Sequence, residues 1–111
     1  MKTNLFSTPK GSKNKRDLYV VITDDGDLIL DGCDSGPAVL EHFGESDYEY
    51  AVTVKADNLV KVFDLLTDSK QEYRQSSLLE LIRKRFSHEY GFSEFKDLLE
   101  KQHIDFDSWS F

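Results

Sequence analysis

Ten carboxylates stand between Arg16 and Lys55: Asp17, Asp24, Asp25, Asp27, Asp31, Asp34, Glu41, Glu45, Asp47 and Glu49. The same 38 residues contain no lysine and no arginine. Carboxylates at this density could hold a divalent cation, move protons, or attract a cationic partner. A calcium loop needs alternating acids, then a glycine at the turn, then a distal glutamate. Asp25-Gly26-Asp27 does not follow that order, and Asp27 and Asp31 bracket a strand instead of a loop. These acids read as solvated turn and strand-end residues, so neither a metal nor another cofactor is expected. Cys33 and His42, nine residues apart, could in principle form a thiol–imidazole pair. Acidic surroundings raise a thiol pKa and hold back the thiolate, so a nucleophilic Cys33 is not expected. Arg83, Lys84 and Arg85 form the one dense basic patch beyond the N-terminal segment, and helical spacing makes them a solvated face. No nucleophile–base set stands out, and the chain is not expected to be an enzyme.

The charge pattern is the informative feature. Residues 1–16 carry five bases and no acid, and from Lys55 onward nine bases nearly balance eleven acids. The net charge of −7 is therefore localised in the middle of the chain. Such a surface repels phosphate backbones and attracts basic proteins, so no nucleic acid is expected as a partner. The expected contact set is Asp24, Asp25, Asp27, Asp31, Asp34, Glu41, Glu45, Asp47 and Glu49, with Tyr48 as an aromatic anchor.

The elements that must position these residues follow from hydrophobic period. Leu18, Val20 and Ile22 alternate as a strand, as do Leu28 and Leu30. A three-residue loop, Asp24-Asp25-Gly26, sets Ile22 opposite Leu28 and puts all five apolar residues on one face. A two-residue loop would pair Ile22 with Ile29 and scatter them. Residues 32–36 read as a loop and 37–43 as one or two helical turns, opened by Pro37, capped by Ser35 or Gly36, and closed by Gly44. Tyr48, Tyr50, Val52 and Val54 form the clearest strand, with Tyr48 and Tyr50 expected on its core face. Amphipathic helices are predicted over 57–67, 77–88 and 93–102, beginning at Asp57, Ser76 or Ser77, and Ser93. A Glu80–Lys84 pair is expected on the second of these. Residues 104–111 read as a short fourth strand or a docked extended tail, with Trp109 and Phe111 packed into a groove.

These elements predict an α+β domain over 17–111, an antiparallel sheet of three to four strands with about three helices on one face. Residues 1–16 lack a hydrophobic period and read as a flexible basic arm. A chain of 111 residues with 39% hydrophobic content can form one core without staples. One cysteine permits no internal disulfide, and no apolar run reaches membrane-spanning length. A cytoplasmic location and no membrane association are expected.

The ordered set Asp25-Gly26-Asp27-Leu28, Asp31-Gly32, Asp34-Ser35-Gly36, Asp47-Tyr48-Glu49-Tyr50, Leu59 to Leu66, and Ile104 through Ser108-Trp109 resembles small bacterial immunity proteins. These belong to toxin–immunity systems, including contact-dependent growth inhibition. The resemblance spans residues 18–111 and brings no catalytic residues. It implies a cytoplasmic inhibitor that binds a cognate toxin domain, one to one or as a monomer before binding. The acidic stretch adds that this domain is basic, of nuclease type. A small regulatory adaptor with the same acidic face is the alternative.

Overall fold

The computed structural model describes residues 2–110. Five strands form one antiparallel sheet in sequence order: β1 (Lys2–Ser7), β2 (Lys15–Ile22), β3 (Leu28–Ser35), β4 (Asp47–Val54) and β5 (Asp107–Ser110). Helix α1 (Pro37–Phe43) joins β3 to β4. A 3-10 turn at Ala56–Asn58 and helices α2 (Leu59–Leu66), α3 (Gln75–Phe86) and α4 (Gly91–Lys101) join β4 to β5. The α+β layering expected from the sequence is present.

Strand alternation divides the sheet into two unlike faces. Leu18, Val20, Ile22, Leu28, Leu30, Val52 and Val54 point one way and join one core with Leu59, Val62, Phe63, Leu78, Ile82, Phe86, Phe95 and Leu99 from the helices. Burial of a large apolar side chain contributes about 1.5–3 kcal/mol, so this one-sided core is the main stabilising element. Tyr19, Val21, Ile29 and Thr53 point the other way, stay half-exposed and lie outside that core.

The β2–β3 register is the one the apolar pattern requires. Ile22 pairs with Leu28, and the Thr23 N–H donates to the Asp27 carbonyl at 2.8 Å. Gly26 closes the loop at φ +86°, a left-handed conformation that glycine adopts without a Cβ penalty.

Five expectations need correction. Residues 1–16 are not a free arm. Lys2–Ser7 pair with β2, and Leu5 is buried. A bulge between Asn4 and Phe6 breaks the alternation, which is why no period is visible in the sequence. Residues 32–35 continue β3 instead of looping, because β2 and β4 pair with them on both sides and override their weak strand propensity. The helices begin at Leu59, Gln75 and Gly91, and none has a side-chain cap hydrogen bond. Helix α1 is capped by Gly36, one of the two expected residues, and closed by Gly44; it too has no side-chain cap bond of its own, and Asn14 Oδ1 accepts the Ala38 N–H at 3.0 Å. Trp109 does not dock in a groove. It lies on β5 opposite Ala51 and is 52% exposed. Phe111 lies outside the described residues. On α3, Glu80 pairs with Arg83, one residue short of the expected Lys84.

Leu5→Ala tests the status of the N-terminal segment. A buried strand residue predicts a loss of about 2–4 kcal/mol in urea unfolding. A change below about 0.5 kcal/mol, the usual effect of a surface substitution, would restore the flexible arm.

Candidate partner-binding surface

The ten residues predicted to meet a partner do not form one surface. Asp24 and Asp25 are exposed at the β2–β3 loop. Glu41, Glu45, Asp47 and Glu49 are exposed at the opposite end of the sheet, where Ser35 pairs with Asp47. Seven residue steps separate Leu28 from Ser35, roughly 23 Å at the usual strand rise. That distance exceeds the Debye length of about 10 Å at 0.1 M salt, so the two groups act separately on a partner.

Three of the ten are committed to internal contacts. Asp27 accepts the Ala56 N–H at 2.8 Å and pairs with Lys55 at 3.4 Å, fastening the end of β4 to the loop. Tyr48 stacks on Phe43, with ring centroids 4.3 Å apart and planes 3° apart. Asp34 lies on the helix-covered face. Arg16 grips it with two hydrogen bonds, from Nε at 2.8 Å and from Nη2 at 2.9 Å. The Tyr50 hydroxyl donates to the same carboxylate at 2.7 Å. Arg16 also donates to the Glu89 carbonyl at 3.0 Å, tying β2 to the α3–α4 connection. The bonds to Asp34 raise the Arg16 pKa, while burial and the Asp34 contact push the Tyr50 phenol up. Gly32 makes room for this arrangement: a Cβ there would stand 2.3 Å from the Tyr50 ring.

Cross-strand register orders the open face into rows. Asp17, Cys33 and Glu49 form one row across β2, β3 and β4. Tyr19, Asp31, Ala51 and Trp109 form the next. Lys15, Ser35 and Asp47 flank the first row on its other side. Cys33 thus sits among acids. Burial first, then Asp47, Glu49, Asp17 and Asp34, push its thiol pKa up, which leaves it a poor nucleophile. Burial also raises the Asp31 pKa; Lys2 opposes this shift and Glu49 adds to it. Among the described residues, no three His, Cys, Asp or Glu side chains are grouped to hold a metal ion.

Asp17 belongs to this surface but was not among the expected contacts; its cross-strand neighbours are visible only once β3 is known to reach Ser35. The apolar side chains beside the acids were also missed. Leu40 and Phe43 are 53% and 56% exposed on α1, where Val39 is the buried residue. Their i,i+3 spacing in a seven-residue helix was the available signal.

A separate cleft of about 380 Å³ lies where α4 meets β4 and β5, lined in part by Asp34, Tyr50, Phe92, Lys96 and Ser108. No histidine or cysteine lines it. Arg16 and Asp34 offset each other there. No family model, curated protein or solved structure matches the chain. No helix among the described residues is long and apolar enough to cross a membrane.

The raised pKa of Asp31 fixes the sign of a pH effect. The folded protein holds this proton more tightly than the unfolded chain does. Stability from this group is therefore greatest below the ordinary aspartate value of 3.8 and declines as pH rises through the folded value. Asp31→Asn removes that decline. Relative to the parent, the variant gains stability between about pH 3 and pH 7, by less than about 1 kcal/mol because the site is half-exposed. A relative loss over that interval in thermal unfolding would contradict the assignment.

Proposed function

We propose that this protein is a stoichiometric inhibitor that binds a basic protein domain, in the manner of a bacterial immunity protein blocking its toxin in the cytoplasm. The observation that carries the reading is a set of carboxylates with no ion-pair partner. Asp17, Asp31, Glu41, Glu45, Asp47 and Glu49 make no salt bridge among the described residues, whose ion pairs with lysine or arginine involve Asp34, Asp27 and Glu80 and whose Glu94 meets His88. Three of them, Glu45, Asp47 and Glu49, share one shallow depression with Ser46. Like charges held as close together as Glu45, Asp47 and Glu49 repel one another, and a cationic partner relieves that repulsion on binding.

The chemistry suits a nuclease-type toxin. Such a domain is basic because it must hold a phosphate backbone, and an acidic surface occupies the same cleft. Steering by opposed potentials raises association rates up to about 10⁸–10⁹ M⁻¹s⁻¹ at low salt. The resemblance to immunity proteins points the same way. An adaptor for another basic protein would use the same surface, and the identity of the inhibited activity separates the two.

The test is growth protection. The gene beside this one should encode a secreted protein with a C-terminal toxin domain, and co-expression of this chain should restore growth of cells making that domain. Replacing Asp17, Glu41, Glu45, Asp47 and Glu49 together with Asn or Gln should abolish protection while leaving circular dichroism unchanged. Replacing Asp24 and Asp25 should leave protection within about twofold, because those charges lie beyond a Debye length. Full protection by the folded five-residue variant would reject this surface, and a neighbouring gene without a toxin domain would reject the immunity role.

A further inference from the structure

At the same end of the sheet as several of the unpaired acids, the fold leaves an apolar corner uncovered. Leu40 and Phe43 lie one helical turn apart on α1 and are more than half exposed. The outer ring is not loose: Phe43 stacks in parallel on Tyr48 at 4.3 Å. Tyr48 contacts Tyr50 at 5.6 Å, and Tyr50 meets Phe92 edge-on at 4.6 Å. The exposed ring is thus the outermost member of a stack that runs inward to α4. Glu41 lies on the same helix and Glu45 in the turn that follows, with no lysine or arginine between them, while Asp47 and Glu49 stand on the opposite parity of β4 from Tyr48, toward the open face.

Other exposed apolar residues lack this setting. Val60 and Leu65 share α2 with Lys61, Tyr90 follows His88 and Glu89 in the α3–α4 connection, and Trp109 shares its cross-strand row with Tyr19, whose ring Lys2 covers. Among the described residues, the α1 corner joins a pre-ordered aromatic surface to the exposed carboxylates Glu41 and Glu45. Interface hot spots have this form: an immobilised apolar centre excludes water, and the surrounding charges select the partner.

We infer that the α1 corner, Leu40 and Phe43 backed by Tyr48, is the anchor point for a basic segment of the partner that presents a large apolar side chain flanked by lysine or arginine. Charge complementarity commits the site to that occupant. A second copy of this chain is disfavoured by its net charge of −7. Phe43 is ordered before binding, so less side-chain freedom is lost when a partner covers it. The inference rests on the inhibitor reading only for the identity of the natural partner.

The experiment uses a phage-displayed library of random 12-residue peptides as the probe, selected on the immobilised full chain. Enriched peptides should carry net positive charge and at least one Leu, Ile, Phe, Tyr or Trp. Synthetic copies should bind Phe43→Ser and Leu40→Ser at least tenfold more weakly than the parent, and Tyr90→Ser equally well. Leu40 takes no part in the ring stack, so Leu40→Ser reports on the surface even if Phe43→Ser perturbs Tyr48. Absence of enrichment, enrichment of peptides without basic residues, or retained binding to both serine variants would overturn the anchor. Concentration-dependent self-association abolished by Leu40→Ser would overturn it in favour of a second copy. Peptide binding at the corner without growth protection would leave the anchor standing and remove the inhibitor role; protection by a chain with no anchor would do the reverse.

Discussion

Helices cover one face of a five-stranded sheet, and everything else in the molecule follows from which face that is. The choice is written into the parity of β2, β3 and β4, where one register puts Leu18, Val20, Ile22, Leu28, Leu30, Val52 and Val54 together. A slip of one residue would send that set into water and bring Asp31, Cys33 and Glu49 into the core. The charged side chains on the opposite parity oppose such a slip, since an unpaired buried carboxylate costs several kcal/mol. The acids of the open face therefore help to hold the register of the sheet.

Asp34 is the exception that joins the two roles. It follows the parity of the core and would be a partly buried unpaired charge without Arg16 and Tyr50. A bidentate Arg–carboxylate pair with a third donor satisfies most of its lone pairs. This arrangement closes the end of the inner face beneath α4, at the place where hydrophobic strand positions run out. It also consumes a carboxylate that charge counting alone assigns to the outside. The ring stack from Phe92 through Tyr50 and Tyr48 to Phe43 passes through Tyr50, which also binds Asp34, so the internal ion pair and the exposed corner share a support.

Much of this was legible in the residues. The three-residue hairpin loop followed from the requirement that five apolar residues share a face. Strand β4 and the apolar stripes of α2, α3 and α4 followed from period alone. What was hidden depends on long-range pairing. Strand β1 is masked by its bulge, and the polar half of β3 becomes a strand only because both neighbours bond to it. Arg16 looked like part of a free arm because its partner lies 18 residues away on the next strand. The acidic stretch was plain in the sequence, but linear density does not reveal that a strand's length parts Asp24 and Asp25 from Asp47 and Glu49.

Locating where a cation settles on the folded protein tests the central claim most directly. A titration with a nine-residue lysine peptide, followed by amide ¹H–¹⁵N shifts, would map that position. An interface at the far end of the sheet predicts the largest changes at Cys33, Glu41, Glu45, Asp47 and Glu49, fading as salt is raised. Changes centred on Asp24 and Asp25, or spread evenly over the acids of the chain, would contradict it.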